Sequence, residues 1–291
     1  MTREHSIYGE YGCSGIESDY LSDENYTEPE YKAADFKVLS YDIDMKIRES
    51  LTADVSMDLT PSNEYSFTLY HGLNIHKLTD GEGKALDYKR SGDYVYILSD
   101  VTGSAINIQY SGLVGNYYID REAAYISRNF PYYPVPGINP LYTEYEEYIP
   151  VVLGEAAEFN VNIDSLFKVY SNLEERPDGS YYGYARGMTL YGGVFVKEYE
   201  KDGVSICYSD VSYVDYSPEA LDAFILKMQN DYGMSLKGKR IFSTGMSCGK
   251  YSCSIYKDSV EIAGYRGLGA IIDVYTDEGT VYGGYVEEGS L

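Results

Sequence analysis

The chain of 291 residues carries 46 Asp and Glu against 23 Lys and Arg, a net charge of −23 at pH 7. A surface this acidic repels phosphate backbones and anionic lipids, which sets aside nucleic-acid and membrane-surface binding and leaves plain solubility or a specific basic partner. Hydrophobic residues make up 44%, enough for a full core, and no apolar run reaches the length of a bilayer-spanning helix.

Residues 1–35 are acidic, tyrosine-rich and poor in aliphatics, and read as a leader that is partly disordered or draped on the adjoining domain. Its start, MTREHSIYGEYG, lacks the apolar stretch of a signal peptide, so export would need a segment outside this sequence. From Phe36 the pattern changes. VLSYDIDMKI and TADVSMDL alternate apolar and polar residues, and EYSFTLYH, LNIHKLT, ALDYK, DYVYIL and AINIQY come next. Turn residues punctuate them at Pro61-Ser-Asn63, Asp80-Gly-Glu-Gly83, Ser91-Gly-Asp93 and Thr102-Gly-Ser104. Short alternating strands at regular spacing predict a mostly-β fold, an antiparallel sandwich. The 36 Tyr, with no Trp, suit half-buried strands. His71 and His76 fall five apart on extended chain and would face opposite sides. They, like His5, read as ordinary surface or packed histidines rather than ligands.

Residues 111–150 break the rhythm and hold five of the nine prolines. The segment is too aromatic to remain in water, so it is expected to be a structured crossover with Phe130, Pro131, Tyr132, Tyr133 and Pro134 buried. Strands resume with AEFNVNID, FKVYSNL, SYYGYAR, TLYGGVFVKEY and GVSICY, with a turn at Arg176-Pro-Asp-Gly179. One long helix is predicted over SPEALDAFILKMQNDYG. Ser217 is its N-cap, Pro218 its first position and Gly233 its stop, and Leu221, Phe224, Ile225, Met228 and Tyr232 form its apolar face. RIFST, CSIYKDSVEIAGY and GAIIDVYT read as strands and complete a small α+β segment. The Gly-rich EGTVYGGYVEEGSL reads as a frayed or truncated end.

Four cysteines are too few for a disulfide framework, and none forms a C-x-x-C metal pair. Cys248 and Cys253 could bridge a local loop in an oxidising compartment, whereas Cys13 and Cys207 have no evident partner. The stretch GMSCG (Gly245, Met246, Ser247, Cys248, Gly249) fits G-x-S-x-G. A nucleophile elbow needs a strand before, a helix after and a histidine to take the proton. The stretch after it reads as strand, and no histidine follows His76. A structural turn is the favoured reading; a serine hydrolase using Ser247 is the minor alternative.

The order of these pieces resembles the N-terminal β-saddle domain of the aminopeptidase N family of zinc peptidases. The resemblance rests on YDIDMKI, the run through DYVYIL, INIQYSG, the arginine-containing RNFPYYP, AEFNVNID with VYSNL, and TLYGGVFVKEY. It covers residues 36–208. It implies that residues 209–291 are like the start of the family's catalytic domain, with GMSCG in the place of the G-A-M-E-N substrate loop. The amine-binding glutamate of that loop then falls on Cys248, or on Ser247 if the loop is shifted. The family's saddle domain lends an acidic or amide side chain to the substrate pocket, and Asp120 and Glu122 fall near that place. Two solvated carboxylates beside Arg121 are the competing reading of these residues. No H-E-x-x-H occurs in the 291 residues, so neither the zinc-binding imidazoles nor their general base are supplied.

Motifs and missing ligands together predict a non-catalytic aminopeptidase-like module for recognition or assembly, extracytoplasmic, with no cofactor. A protein or peptide is its expected partner, and nucleic acid is not. It could belong to a larger membrane-anchored protein, such as the outer part of a permease of an ATP-driven transporter. The alternative is the N-terminal fragment of a zinc aminopeptidase whose catalytic part lies beyond the chain end.

Overall fold

The computed structural model describes residues 28–114, 118–141, 154–212, 214–244, 253–263, 267–276 and 284–290. Alternation dictates the first elements. Strands β1 (Val38–Ile47) and β2 (Leu51–Leu59) bury every second residue, so Ile43, Met45, Val55 and Met57 enter the core while Asp42, Asp44 and Asp54 face outward. Next come β3 (Ser66–Thr68), β4 (Leu73–Asp80), β5 (Tyr88–Ser91), β6 (Tyr94–Ile97), β7 (Ala105–Gly112), β8 (Tyr118–Ile119), β9 (Ala123–Ile126) and β10 (Val135–Pro136). After residue 153 the chain forms β11 (Ala157–Asp164), β12 (Val169–Ser171), β13 (Glu174–Glu175), β14 (Tyr181–Ala185), β15 (Leu190–Gly193), β16 (Val196–Lys201) and β17 (Val204–Ser209). Helix α1 (Pro218–Tyr232) precedes β18 (Arg240–Ser243), β19 (Cys253–Ile255), β20 (Ser259–Ile262), helix α2 (Gly269–Thr276) and β21 (Gly284–Val286).

Four sheets result. The largest has the order β13-β14-β11-β1-β2-β7-β4, two four-stranded sheets run β10-β3-β6-β5 and β12-β15-β9-β8, and a six-stranded sheet runs β16-β17-β18-β20-β19-β21. The fold is mostly β, as the alternation predicts. Most pairs are antiparallel, but β1 and β11 are parallel, with Ser40 opposite Glu158 and Lys46 opposite Asp164. The long excursion between β7 and β11 makes this possible, because parallel neighbours need a crossover rather than a hairpin.

The proline-rich crossover is pinned as its composition demands. Phe130, Tyr132 and Tyr133 are buried, with both flanking prolines. Tyr110 donates to the Tyr132 carbonyl at 2.8 Å, Tyr41 to the Pro134 carbonyl at 2.9 Å, and the Tyr132 hydroxyl to the Met188 carbonyl at 2.7 Å. The Tyr41, Tyr110 and Tyr132 rings thus keep their polar tips satisfied while buried. Residues 28–35 lie on the same body, since Lys32 exchanges backbone hydrogen bonds with Ile138.

The six-stranded sheet is covered on both faces. Ile206, Ile241, Val260 and Ile262 pack beneath the helices with Leu221, Met228 and Ile271, whereas Cys207 and Phe242, one residue along β17 and β18, join the core of the preceding sheets. A sheet sandwiched in this way reads as near-continuous apolar runs. Three readings change. GAIIDVYT is helix α2, not a strand. CSIYKDSVEIAGY contains two strands, β19 and β20, that turn back on each other. TLYGGVFVKEY divides between β15 and β16, which lie in different sheets.

Candidate functional site

The junction between the six-stranded sheet and the sheet containing β9 and β15 holds the densest polar chemistry described. Arg128 follows β9 and leads into the Phe130–Pro131 segment. It is 3% exposed, so its charge must be met locally. Its guanidinium donates to Asp258 at 2.9 Å and to the Ser259 hydroxyl at 2.6 Å, lies 3.6 Å from Glu261, and stacks 4.2 Å over the Tyr256 ring. Glu261 alternates with the apolar Val260 and Ile262 on β20, so it faces away from the helices. There it accepts from Tyr125 at 3.2 Å and from the Thr189 hydroxyl. Asn129 donates to the Tyr256 hydroxyl at 2.5 Å and Asn172 to Asp258 at 3.0 Å. Burial works against the charge on Asp258, but Arg128 and the Asn172 amide outweigh it and hold its carboxyl below the usual range. Burial likewise opposes the Arg128 charge, and Asp258 and Glu261 together overcome it.

The junction has two rims. At the amino ends of β17, β18 and β20 a groove of about 1030 Å³ opens, lined in part by Lys168, Glu198, Lys239, Arg240 and Asp258. Lys239 is nearly buried and donates to the carbonyls of Tyr256, Lys257 and Ser290. Desolvation lowers its ammonium pKa. The carboxyl ends form the other rim, where ligands commonly sit in sheets of this kind. Tyr208 pairs with Ser243, Tyr216 stacks 4.7 Å from Tyr208 and its hydroxyl bonds the Ser243 hydroxyl at 2.5 Å. Thr244 donates its amide to Ile262, which also pairs with Cys253. Thr244 and Cys253, which flank residues 245–252, are therefore anchored on either side of β20.

Asp120 and Glu122 lie on the turn between β8 and β9. Asp120 Oδ1 accepts from the amides of Glu122 at 2.6 Å and Ala123 at 2.8 Å, which makes it a turn-forming carboxylate. Arg121 pairs with Glu49 at 2.6 Å in solvent. The Glu122 carbonyl accepts from Val194, and the next residue, Phe195, accepts from Asp210 just past β17. This chain of contacts brings the turn to the carboxyl rim, beside the exposed Val194, Phe195 and Val211.

Gly245, Met246, Ser247, Cys248 and Gly249 lie outside the described residues, as does Cys13. Cys253 and Cys207 are buried free thiols. His71 is held by Asp93 at 3.0 Å and His76 by the Ser111 hydroxyl at 2.7 Å, in separate surroundings. Among the described residues, no three His, Cys, Asp or Glu side chains come together as a metal site. The Arg128 cluster was only half visible in the sequence. The arginine of RNFPYYP stood out, but its acidic partners lie some 130 positions away (Ser259 is 131 away). The one local signal is a glutamate set among the apolar residues of VEI.

No protein-family model matches the chain, and no curated protein matches it by sequence. Solved structures do match by shape. Yeast LTA4 hydrolase in complex with bestatin aligns with a TM-score of 0.53 at 11% identity over 84% of this chain and 44% of that one. An aminopeptidase N family protein from Idiomarina loihiensis aligns with 0.53 at 12% over 77% and 42%. A mutant two-domain M1 zinc metallopeptidase bound to L-arginine aligns with 0.50 at 8% over 79% and 61%. The chain thus spans less than two thirds of each of these neighbours. Over most of its own length it shares the fold of M1 zinc metallopeptidases of the aminopeptidase N family.

Proposed function

We propose that this chain is a non-catalytic, aminopeptidase-like module for recognition or assembly. The observation that carries the reading is a peptidase-like fold joined to a sequence with no histidine after His76 and no H-E-x-x-H. A zinc peptidase needs two imidazoles on one helix face and a glutamate to activate water; these 291 residues supply neither. Cys248 and Ser247, in the place that the family gives to an amine-binding glutamate, carry no comparable charge.

The same reading divides the chain into a leader (1–35), a β-sandwich (36–208) and an α+β segment (209–291) that shares its sheet with β16 and β17. It assigns the carboxyl rim, with Asp120 and Glu122, to contact with a protein or peptide, and places the module outside the cytoplasm. No described helix is long and apolar enough to cross a membrane. The test is incubation with a mixture of unblocked peptides, followed by mass spectrometry. Peptides recovered intact, including any that are retained, fit the reading. Peptides shortened by their first residue contradict it.

A second reading is favoured by the 44% share of yeast LTA4 hydrolase that the chain covers. Here the chain is one part of a longer zinc aminopeptidase. A reading frame that runs past Leu291 into H-E-x-x-H decides for it, and one that runs into apolar spans decides for a membrane-anchored parent.

A further inference from the structure

Residues 28–35 are joined to the rest of the protein by few contacts. They form no strand or helix of their own, only an isolated antiparallel bridge from Lys32 to Ile138. None of them is buried; the core begins at Phe36, and Tyr31 is 68% exposed. A gap of about 120 Å³ lies against this segment, bordered by its Tyr31, Ala33 and Ala34 and by Val38, Tyr41 and Pro136 of the body. Atoms that face a gap lose their dispersion partners, so the segment gains little from packing. Among the described residues, its backbone bonds to the body are the two that Lys32 exchanges with Ile138, at 3.0 and 2.9 Å. The Lys32–Glu64 ion pair at 2.8 Å is exposed on both sides, and such pairs add little.

The surface beneath is fixed. Gly137 donates its amide to the Ser66 carbonyl at 2.8 Å, and its own carbonyl accepts from the Thr68 hydroxyl at 2.9 Å, which ties the chain before Ile138 to β3. Gly137 has φ 82°, and a β-carbon there would lie 2.6 Å from the Lys32 carbonyl oxygen, so only glycine lets the segment sit this close. The far end is held by a side chain. One oxygen of Glu28 accepts the Leu141 amide at 2.6 Å and the hydroxyl of the buried Tyr94. Bonds to an ionised acceptor are the strong kind, which makes Glu28 the firmest described contact of the segment. We infer that residues 28–35 are a releasable strap latched by Glu28, which lifts from the body while the sheets stay folded. Ordering its backbone costs conformational entropy that a few bonds and little burial barely offset, and such units open without the rest of the fold. The strap continues the sheet past its β10 edge. Lifting it bares the Ile138 amide and carbonyl beside the apolar Val38 and Tyr41, so the closed strap guards a strand edge.

Opening of the strap does not depend on the proposed function. The experiment is amide hydrogen exchange of the full chain, followed residue by residue by NMR in water and in low urea. The Lys32 and Ile138 amides are expected to exchange about a hundredfold or more faster than the Val55 amide in the core, at a rate that low urea leaves nearly unchanged, because local opening exposes little surface. Glu28→Ala should speed exchange at Lys32, Ile138 and Leu141 by a further factor of about ten, the scale of lost bonds to a charged acceptor, and leave Val55 as it was. Tyr94→Phe, which removes one of the two donors to Glu28 and keeps the ring, should shift Lys32 and Ile138 in the same direction. Exchange at Lys32 and Ile138 that matches Val55 in rate and in urea dependence would show that the strap opens only when the whole chain unfolds. Unchanged exchange at Lys32 and Ile138 in both variants would show that Glu28 is no latch. Either result overturns the inference.

Discussion

At the scale of single residues, Arg128 ties the two halves of the structure together. It is a buried cation shared between two carboxylates from β20 and the residue preceding it. Arg128→Met leaves Asp258 and Glu261 without their partner, and removing one member of a buried pair costs about 3–5 kcal/mol. Urea denaturation should register that loss, and a variant as stable as wild type would show the cluster to be idle. The pH dependence follows from direction. The Asp258 carboxyl is held below its usual range in the folded chain, so its contribution is present above the unfolded value of about 3.9 and is lost as pH falls through the lower folded value. Asp258→Asn should therefore flatten the fall in urea midpoint below about pH 4. Tyr132→Ala should cost about 3–5 kcal/mol, because the ring is wholly buried and its hydroxyl bonded. The burial of Tyr132 was legible from the sequence, because rings and prolines so dense cannot stay wet. The partners of Arg128 were not, because no local pattern encodes a contact across 130 residues.

Among the elements, helix α1 was legible to the residue. Ser217 caps it, accepting from the Ala220 amide at 3.4 Å, and Gly233 ends it at φ 66°. Ser217→Ala should cost about 1 kcal/mol. Gly233→Ala should cost about 1–2 kcal/mol, since a β-carbon is strained in the left-handed region. Thermal unfolding of the two variants tests both figures. Helix α2 was misread because GAIIDVYT is short, apolar and β-branched, and periodicity cannot separate strand from helix in such a run. Tertiary context decides it, with Ala270, Ile271 and Val274 packed beneath the sheet. The parallel pairing of β1 with β11 was hidden for a related reason. Alternation shows which face of a strand is buried, but not which neighbour it takes or in which direction.

For the whole molecule, tyrosine chemistry and the absent zinc machinery make separate predictions. Burial raises the Tyr41, Tyr110 and Tyr132 hydroxyls well above their ordinary pKa of 10.0. Their contribution to stability is complete below about pH 10, where unfolded tyrosine begins to ionise, and is lost as pH rises toward the folded values. Absorbance at 295 nm should therefore show a late step that coincides with loss of circular dichroism. A smooth titration of every tyrosine near pH 10 with the fold intact would contradict the packing. The similarity to M1 metallopeptidases covers architecture, and the proposal that this chain is non-catalytic rests on the lack of H-E-x-x-H in these 291 residues. The most direct test of that claim is zinc content and aminoacyl-coumarin hydrolysis, measured on the purified chain after incubation with zinc and desalting. No bound zinc in stoichiometric amount and no turnover above buffer are predicted. One tightly held zinc per chain, with hydrolysis that a chelator abolishes and zinc restores, would contradict the account.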